Sequence, residues 1–170
     1  MSSKKISLEF EEYADDKSLD QESLQLLNEA RAATKNAYAP YSNFCVAAAA
    51  LLSNKNLAAG KQEIITATNQ ENASFPAGIC AERVLLSAIA SQFPNATVDA
   101  IAISYDNKNG ESNHPISPCG ICRQSLVEFE RRYNHPIKII LAGKTGKVYI
   151  IKSAADLLPL AFNSNDLLSK

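Results

Sequence analysis

Apolar and polar residues alternate at the start of this chain, then recur at helical spacing, and the two patterns trade places to its end. Ile6, Leu8 and Phe10 stand against Ser7, Glu9 and Glu11, so ISLEFEEY reads as a short half-buried strand. The polar stretch ADDKSLDQES after it reads as a connector. From about Leu19 to Ala37, Leu24, Leu27, Ala30 and Ala33 share one face of an amphipathic helix, with Ser18 or Asp20 as its N-cap. Pro40 ends it, because the residue before a proline is pushed out of the helical region. CVAAAALLS is an apolar run of strand length, and KQEIITATN, rich in β-branched residues, is its hairpin partner across a loop holding Asn54, Asn56 and Gly60.

After the loop ENASFPAG, a helix runs from Ile79 to about Gln92 with Val84, Leu85, Ala88 and Ile89 on its buried face. Thr97 to Ser104 is a strand, and YDNKNGESNHP has too little apolar content to be more than a surface loop. A helix from Gly120 to about Tyr133 turns Ile121, Leu126 and Phe129 inward. IKIILAG and KVYII flank the short loop Gly143-Lys144-Thr145-Gly146, which implies antiparallel pairing. The tail ADLLPLAFNSNDLL carries helical turns broken by Pro159. Strands and helices alternate along most of the chain, which predicts an α/β layer structure with helices on both faces of a mixed sheet.

Composition narrows the function. The 170 residues suit one domain, 1–170, with residues 1–20 as an N-terminal extension holding a short strand. A formal net charge of −1 and the lack of a basic run argue against a nucleic-acid partner. No apolar stretch approaches the roughly 20 residues that span a bilayer, and the first residues contain no continuous apolar run, which predicts a cytoplasmic protein. Thiols stay reduced in that compartment, so the four cysteines read as metal ligands or core residues rather than disulfides.

Cys80 stands where a helix begins, with Glu82 two residues on, and Pro118-Cys119-Gly120-Ile121-Cys122 places two more cysteines at the start of another helix. Three thiolates with one position left open make a catalytic zinc site. Cys45, inside an apolar strand run, reads as a core residue. A CxxC alone also occurs in redox motifs and structural zinc ribbons, but a redox motif needs no upstream CxE and a ribbon wants a second CxxC, which the sequence lacks. Helix N-termini favour the thiolates, and Arg83 and Arg123 stand beside ligands; Arg83 is the expected donor to sulfur. Glu82, about 5 Å from a centre of net charge −1, would feel roughly 3 kcal/mol of repulsion at an effective dielectric of 20. That raises its pKa and suits it to hold and return a proton. The plainer reading of Glu82 is an exposed glutamate near a helix start. CAE followed by PCxxC is the three-cysteine variant of the zinc deaminase signature.

The chain closely resembles the cytidine deaminases of nucleoside salvage. Five blocks carry the resemblance: AYAPYSNF (37–44), NQENASFP (69–76), ICAER (79–83), SPCGICRQ (117–124) and the LLPxxF tail ending at Phe162. It implies a three-layer α/β/α fold with a mixed five-stranded sheet, its last two strands antiparallel. It also implies one Zn²⁺ per subunit on Cys80, Cys119 and Cys122, supplying an activated water that attacks C4 of the ring, with Glu82 shuttling the proton. By the same resemblance Asn69 and Glu71 bind the ribose 3′-hydroxyl, the Ala81 N–H and Ser117 carbonyl hold the ring edge, and Phe44 lies against the base. Phe75 and Phe162 would complete a neighbour's site in a homotetramer.

The chain departs from the family pattern at Phe75, where tyrosine is frequent, and at Ala47 and Ala67, where glycine is common. The expected reaction is deamination of cytidine and 2′-deoxycytidine. A deaminase of another aminopyrimidine nucleoside such as blasticidin S, and a zinc-stabilised binding module in which Glu82 is dispensable, are the competing readings.

Overall fold

The structure, a computed structural model, describes residues 1–54 and 63–168. Its strands are β1 (Glu11–Tyr13), β2 (Phe44–Asn54), β3 (Glu63–Thr68), β4 (Ala96–Asn107), β5 (Lys138–Ala142) and β6 (Val148–Ile151), and its helices are α1 (Gln21–Ala33), α2 (Ala81–Gln92), α3 (Gly120–Tyr133) and α4 (Ser164–Leu168). The strands form one sheet in the order β1-β6-β5-β4-β2-β3. Only β4 and β5 pair in parallel, with α3 as their crossover; the other neighbours are antiparallel.

The sheet is buried on both sides because alternate residues of its central strands serve opposite layers. Ala49, Leu51, Ala100, Ala102, Ile140 and Val148 pack with Leu26, Leu27 and Ala30 of α1. Ala48, Ala50, Leu52, Ile101, Ile103, Ile139 and Leu141 pack under α2 and α3 through Leu85, Leu86, Ile89, Leu126 and Phe129. The alanine run of β2 is the physical reason that helices close on both faces of the same strand. Small side chains let both layers approach a fully buried strand, and the helical propensity of alanine is overridden by pairing on both edges.

Several expectations need correction. The sheet has six strands, the extra one being β1, which lies at the end of ISLEFEEY rather than throughout it. Among the described residues only Glu11–Tyr13 forms ladder pairs with β6, and Ile6, Leu8 and Phe10 remain exposed. The connector after β1 contains a 3-10 turn, Asp16–Ser18, and Asp16 pairs with Arg31 of α1. Helix α1 stops at Ala33 and gives way to a 3-10 turn at Thr34–Asn36. Asp20 is its N-cap, accepting from Ser23 N at 2.7 Å.

On α2, Leu86 rather than Val84 or Ala88 joins the fully buried set. On α3, Ile121 is 64% exposed, because two positions on from the Cys119 cap it faces away from the sheet, whereas Cys122 is buried. Cys45 is half-buried rather than a core residue. The expected β2–β3 loop, with Asn56 and Gly60, falls outside the described residues.

Between β4 and α3, residues 108–119 follow no regular element yet are fixed against the β5–β6 turn. Thr145 N donates to Ser112 O at 3.3 Å. A Cβ at Gly143 or Gly146 would collide with the backbone of Ser112 or Asn113, and Gly146 has φ +82°, so this close approach requires glycine at both positions.

Candidate metal centre and active site

Both cysteine motifs fold as helix starts. Cys80 caps α2 and Cys119 caps α3, each in extended conformation with no side-chain cap hydrogen bond. Cys122 lies in the first turn of α3. Because α2 and α3 pack on the same face of the sheet, their N-termini meet: Sγ of Cys80 is 3.8 Å from Sγ of Cys119, which is 3.4 Å from Sγ of Cys122. All three sulfurs lie within 4.8 Å of one another. Zinc–thiolate bonds of about 2.3 Å in a tetrahedron set sulfurs about 3.8 Å apart, so the cluster has the dimensions of a zinc site. Cys122 is buried, Cys80 half-buried and Cys119 exposed, so the cluster is closed on the core side and open on the other. Cys45 is not among the clustered residues.

The thiols are already set against one another. Hydrogen bonding with Cys122 pulls the Cys80 thiol down to about 6 against its burial and the charge of Glu82, and the Arg83 charge helps. The same contact and burial push Cys122 up. Arg83 acts here through its charge; no hydrogen bond from its guanidinium to sulfur occurs among the described residues. Arg123 instead braces the metal loop from behind, its Nε donating to Pro118 O at 2.8 Å and an Nη to Leu157 O at 3.3 Å.

Glu82 is 4% exposed, which excludes the reading of a solvated helix glutamate. Burial pushes its carboxyl above the ordinary value of 4.5, while a main-chain N–H and the Cys122 thiol act against the rise. Burial is thus a cause of the raised pKa that the like-charge argument did not contain. Ala81, between Cys80 and Glu82, is fully buried at the first turn of α2, where main-chain N–H groups have no intrahelical acceptor.

The segment 69–71 is knitted into the same end of the sheet. Tyr38 N donates to Asn69 O at 3.1 Å and Glu71 N to Tyr38 O at 2.9 Å; Gln70 and Ile79 exchange two bonds of 2.9 Å just before Cys80. The Asn69 amide clamps the start of β2, accepting from Val46 N at 2.8 Å and donating to Phe44 O at 3.0 Å. Glu71 accepts from Tyr41 N at 2.8 Å and from both the main chain and hydroxyl of Ser42. These bonds, with the Ser42 hydroxyl foremost, hold its carboxyl below the usual range. A groove of about 360 Å³ is lined by Tyr41, Ser42, Glu71, Asn72, Phe75 and Gly78, the last of these two positions before Cys80.

Phe44 opens β2 and is half-buried; Ser117 is exposed in the segment leading to Cys119. Phe75 and Phe162 are 74% and 58% exposed. Sequence reasoning missed two residues at this end of the sheet. Tyr105 is fully buried against Phe44, and His114 meets its hydroxyl. The Ile101, Ile103, Tyr105 alternation carries the signal for Tyr105, since β4 runs to Asn107 rather than ending at Ser104.

Comparisons with known proteins agree with this geometry. The family profile described as "Cytidine and deoxycytidylate deaminase zinc-binding region" matches residues 20–134. A cytidine deaminase of Halalkalibacterium halodurans is 35% identical over 142 residues, covering 84% of this chain and 95% of that protein. One from Sporosarcina psychrophila is 32% identical over 143 residues, covering 84% and 93%. The crystal structure of cytidine deaminase from Burkholderia pseudomallei superposes with a TM-score of 0.64 at 36% identity, over 85% of this chain and 100% of that one. A sequence profile that spans both cysteine motifs, relatives covered over nearly their full length and a shared fold together place this chain in the cytidine deaminase family.

Proposed function

We propose that this protein hydrolytically deaminates cytidine and 2′-deoxycytidine to the corresponding uridines, releasing ammonia, in pyrimidine salvage in the cytoplasm. The observation that carries the reading is the meeting of three cysteine sulfurs within 4.8 Å beside the buried Glu82. Cys80, Cys119 and Cys122 would hold zinc, which supplies a water of lowered pKa and an electrophilic centre.

The remaining chemistry belongs to the chain. Glu82, its carboxyl raised above the ordinary value by burial, holds the proton taken from water, passes it to ring N3 and then to the departing amino group. The Ala81 N–H and the Ser117 carbonyl would fix the ring edge, and Phe44 would support the base. The spare Nδ2 hydrogen of Asn69 and the Glu71 carboxylate would take the ribose 3′-hydroxyl. Both side chains already hold the main chain around Phe44, which leaves them preorganised for a sugar at little further entropic cost. The exposed Phe75 and Phe162 support a homotetramer in which each ring closes a neighbour's groove.

The test follows the absorbance change of cytidine on conversion to uridine with zinc-quantified protein, with 2′-deoxycytidine, cytosine, CMP and blasticidin S in parallel. Turnover of the two nucleosides alone is expected, and Glu82→Ala should keep its zinc and lose about 10²- to 10⁴-fold in kcat. Substantial turnover in that variant would remove Glu82 from the reaction. Light scattering of the same sample should give four times the chain mass.

A further inference from the structure

Phe44 is half-buried, and what covers one face of its ring is another ring. Tyr105 lies parallel to it, with 4.9 Å between centroids and 16° between planes. Such an offset stack leaves the opposite face of Phe44 for a planar ligand. The two side chains meet because β2 and β4 pair with Val46 opposite Tyr105, so Phe44 and Tyr105 are diagonal neighbours on one face of the sheet. The alternation of β4 puts that face on the side of Ile101 and Ile103, under α2 and α3, where the cysteine cluster lies.

The main chain of Phe44 is held as firmly as its ring. Its N–H donates to Ser42 Oγ at 3.0 Å and its carbonyl accepts from Asn69 Nδ2 at 3.0 Å. Asn43 before it sits at φ 57°, a conformation asparagine tolerates better than most residues. From the other end, the Tyr105 hydroxyl is 3.3 Å from His114 Nδ1, and the His114 ring meets the Tyr105 ring edge-on at 5.9 Å. His114 belongs to the segment that leads through Ser117 to Cys119.

We infer that Tyr105 is a positioning residue for the pyrimidine. Its ring fixes the plane of Phe44 as a flat support, and its hydroxyl ties that support to the segment carrying Ser117 and Cys119. Tyr105 touches no reacting atom in this scheme. It removes the rotational freedom that Phe44 would otherwise lose on binding, so its contribution falls on affinity for the base rather than on the chemical step. This rests on the deaminase reading, and on Phe44 as the residue beneath the base.

The experiment compares wild type, Tyr105→Phe and Tyr105→Leu, with zinc content checked in each. KM and kcat for cytidine are measured alongside the dissociation constant of uridine by calorimetry, a readout independent of turnover. Tyr105→Leu should raise KM and the uridine constant together by about 3- to 10-fold, the range an aromatic pair supports, with kcat within about twofold and zinc unchanged. Tyr105→Phe keeps the ring and should recover most of both losses, the remainder measuring the hydroxyl's tie to His114. In a Phe44→Leu background the Tyr105→Leu change should add little.

If Tyr105→Leu fails to fold, Tyr105→Met fills the same space without a ring and carries the same comparison. Unchanged KM and uridine affinity, or a loss confined to kcat with falling zinc, would overturn the inference. A zinc-loaded wild type that neither turns over cytidine nor binds uridine would instead overturn the deaminase reading, and this inference with it.

Discussion

Cys122, Cys80 and Cys119 run from buried to exposed, although all three face one point. Cys122 has no solvent to stabilise a lone thiolate, and so depends most on a cation for its charge. Cys122→Ser should lower zinc affinity by tenfold or more, while Cys45→Ala should leave zinc content at one per chain; metal analysis after dialysis checks both. If Cys45→Ala lost the metal, the site would be a closed, structural one.

Glu71 carries the pH prediction. Its folded-state pKa lies below the ordinary 4.5, first because of the Ser42 hydroxyl. Its contribution to stability is therefore complete above about 4.5 and disappears as pH falls through the lowered value. Glu71→Gln should flatten that acid limb in denaturant titrations; an unchanged limb would show that solvent screens the bonds.

The spacing of Cys80, Glu82, Cys119 and Cys122 was legible because helix starts impose their own geometry on neighbouring residues. The bonds of Asn69 and Glu71 to the backbone around Phe44 were not legible, because they join segments more than twenty positions apart in the chain.

At the scale of elements, apolar runs, β-branched content and short turns made β2 to β6 legible, and cap chemistry marked the start of α1. Alternation misplaced β1 because Ile6, Leu8 and Phe10 have the period of a strand with no partner beside them; the ladder exists only where β6 runs alongside. What fastens this extension is polar and aromatic rather than buried. Lys147 Nζ bonds Glu12 at 2.6 Å, Phe10 packs on Tyr149 at 4.8 Å, and Asp16 pairs with the Arg31 guanidinium, whose Nε also donates to Gly143 O at 3.0 Å.

Truncation should separate these contacts. Removing residues 1–9 should change stability by less than about 0.5 kcal/mol, as for exposed surface. Removing residues 1–16 should cost about 1–3 kcal/mol, because it deletes β1 with its ladder to β6 and leaves Arg31, whose side chain is only 14% exposed, without its carboxylate. Equal melting temperatures for the two truncations would show that neither the β1 ladder nor the Asp16 pair contributes.

For the molecule as a whole, the arrangement of the site follows from where the helices start. Cys80 and Cys119 are 39 residues apart, and between them lie α2, the central strand β4 and the irregular segment that ends in Pro118. An ion bound at that junction is therefore a cross-link as well as a reagent. It closes a 39-residue loop whose ends the unfolded chain would let wander, a constraint on the order of 4 kcal/mol if it behaved as a covalent bridge. Because the ligands assemble only in the folded chain, binding and folding share one free energy. Chelation should then lower the melting temperature and open residues 108–118 to protease before it disturbs the sheet. Scarcity of metal would be felt by this protein first as a shortened lifetime, and the same three sulfurs that set its chemistry would set its turnover in the cell.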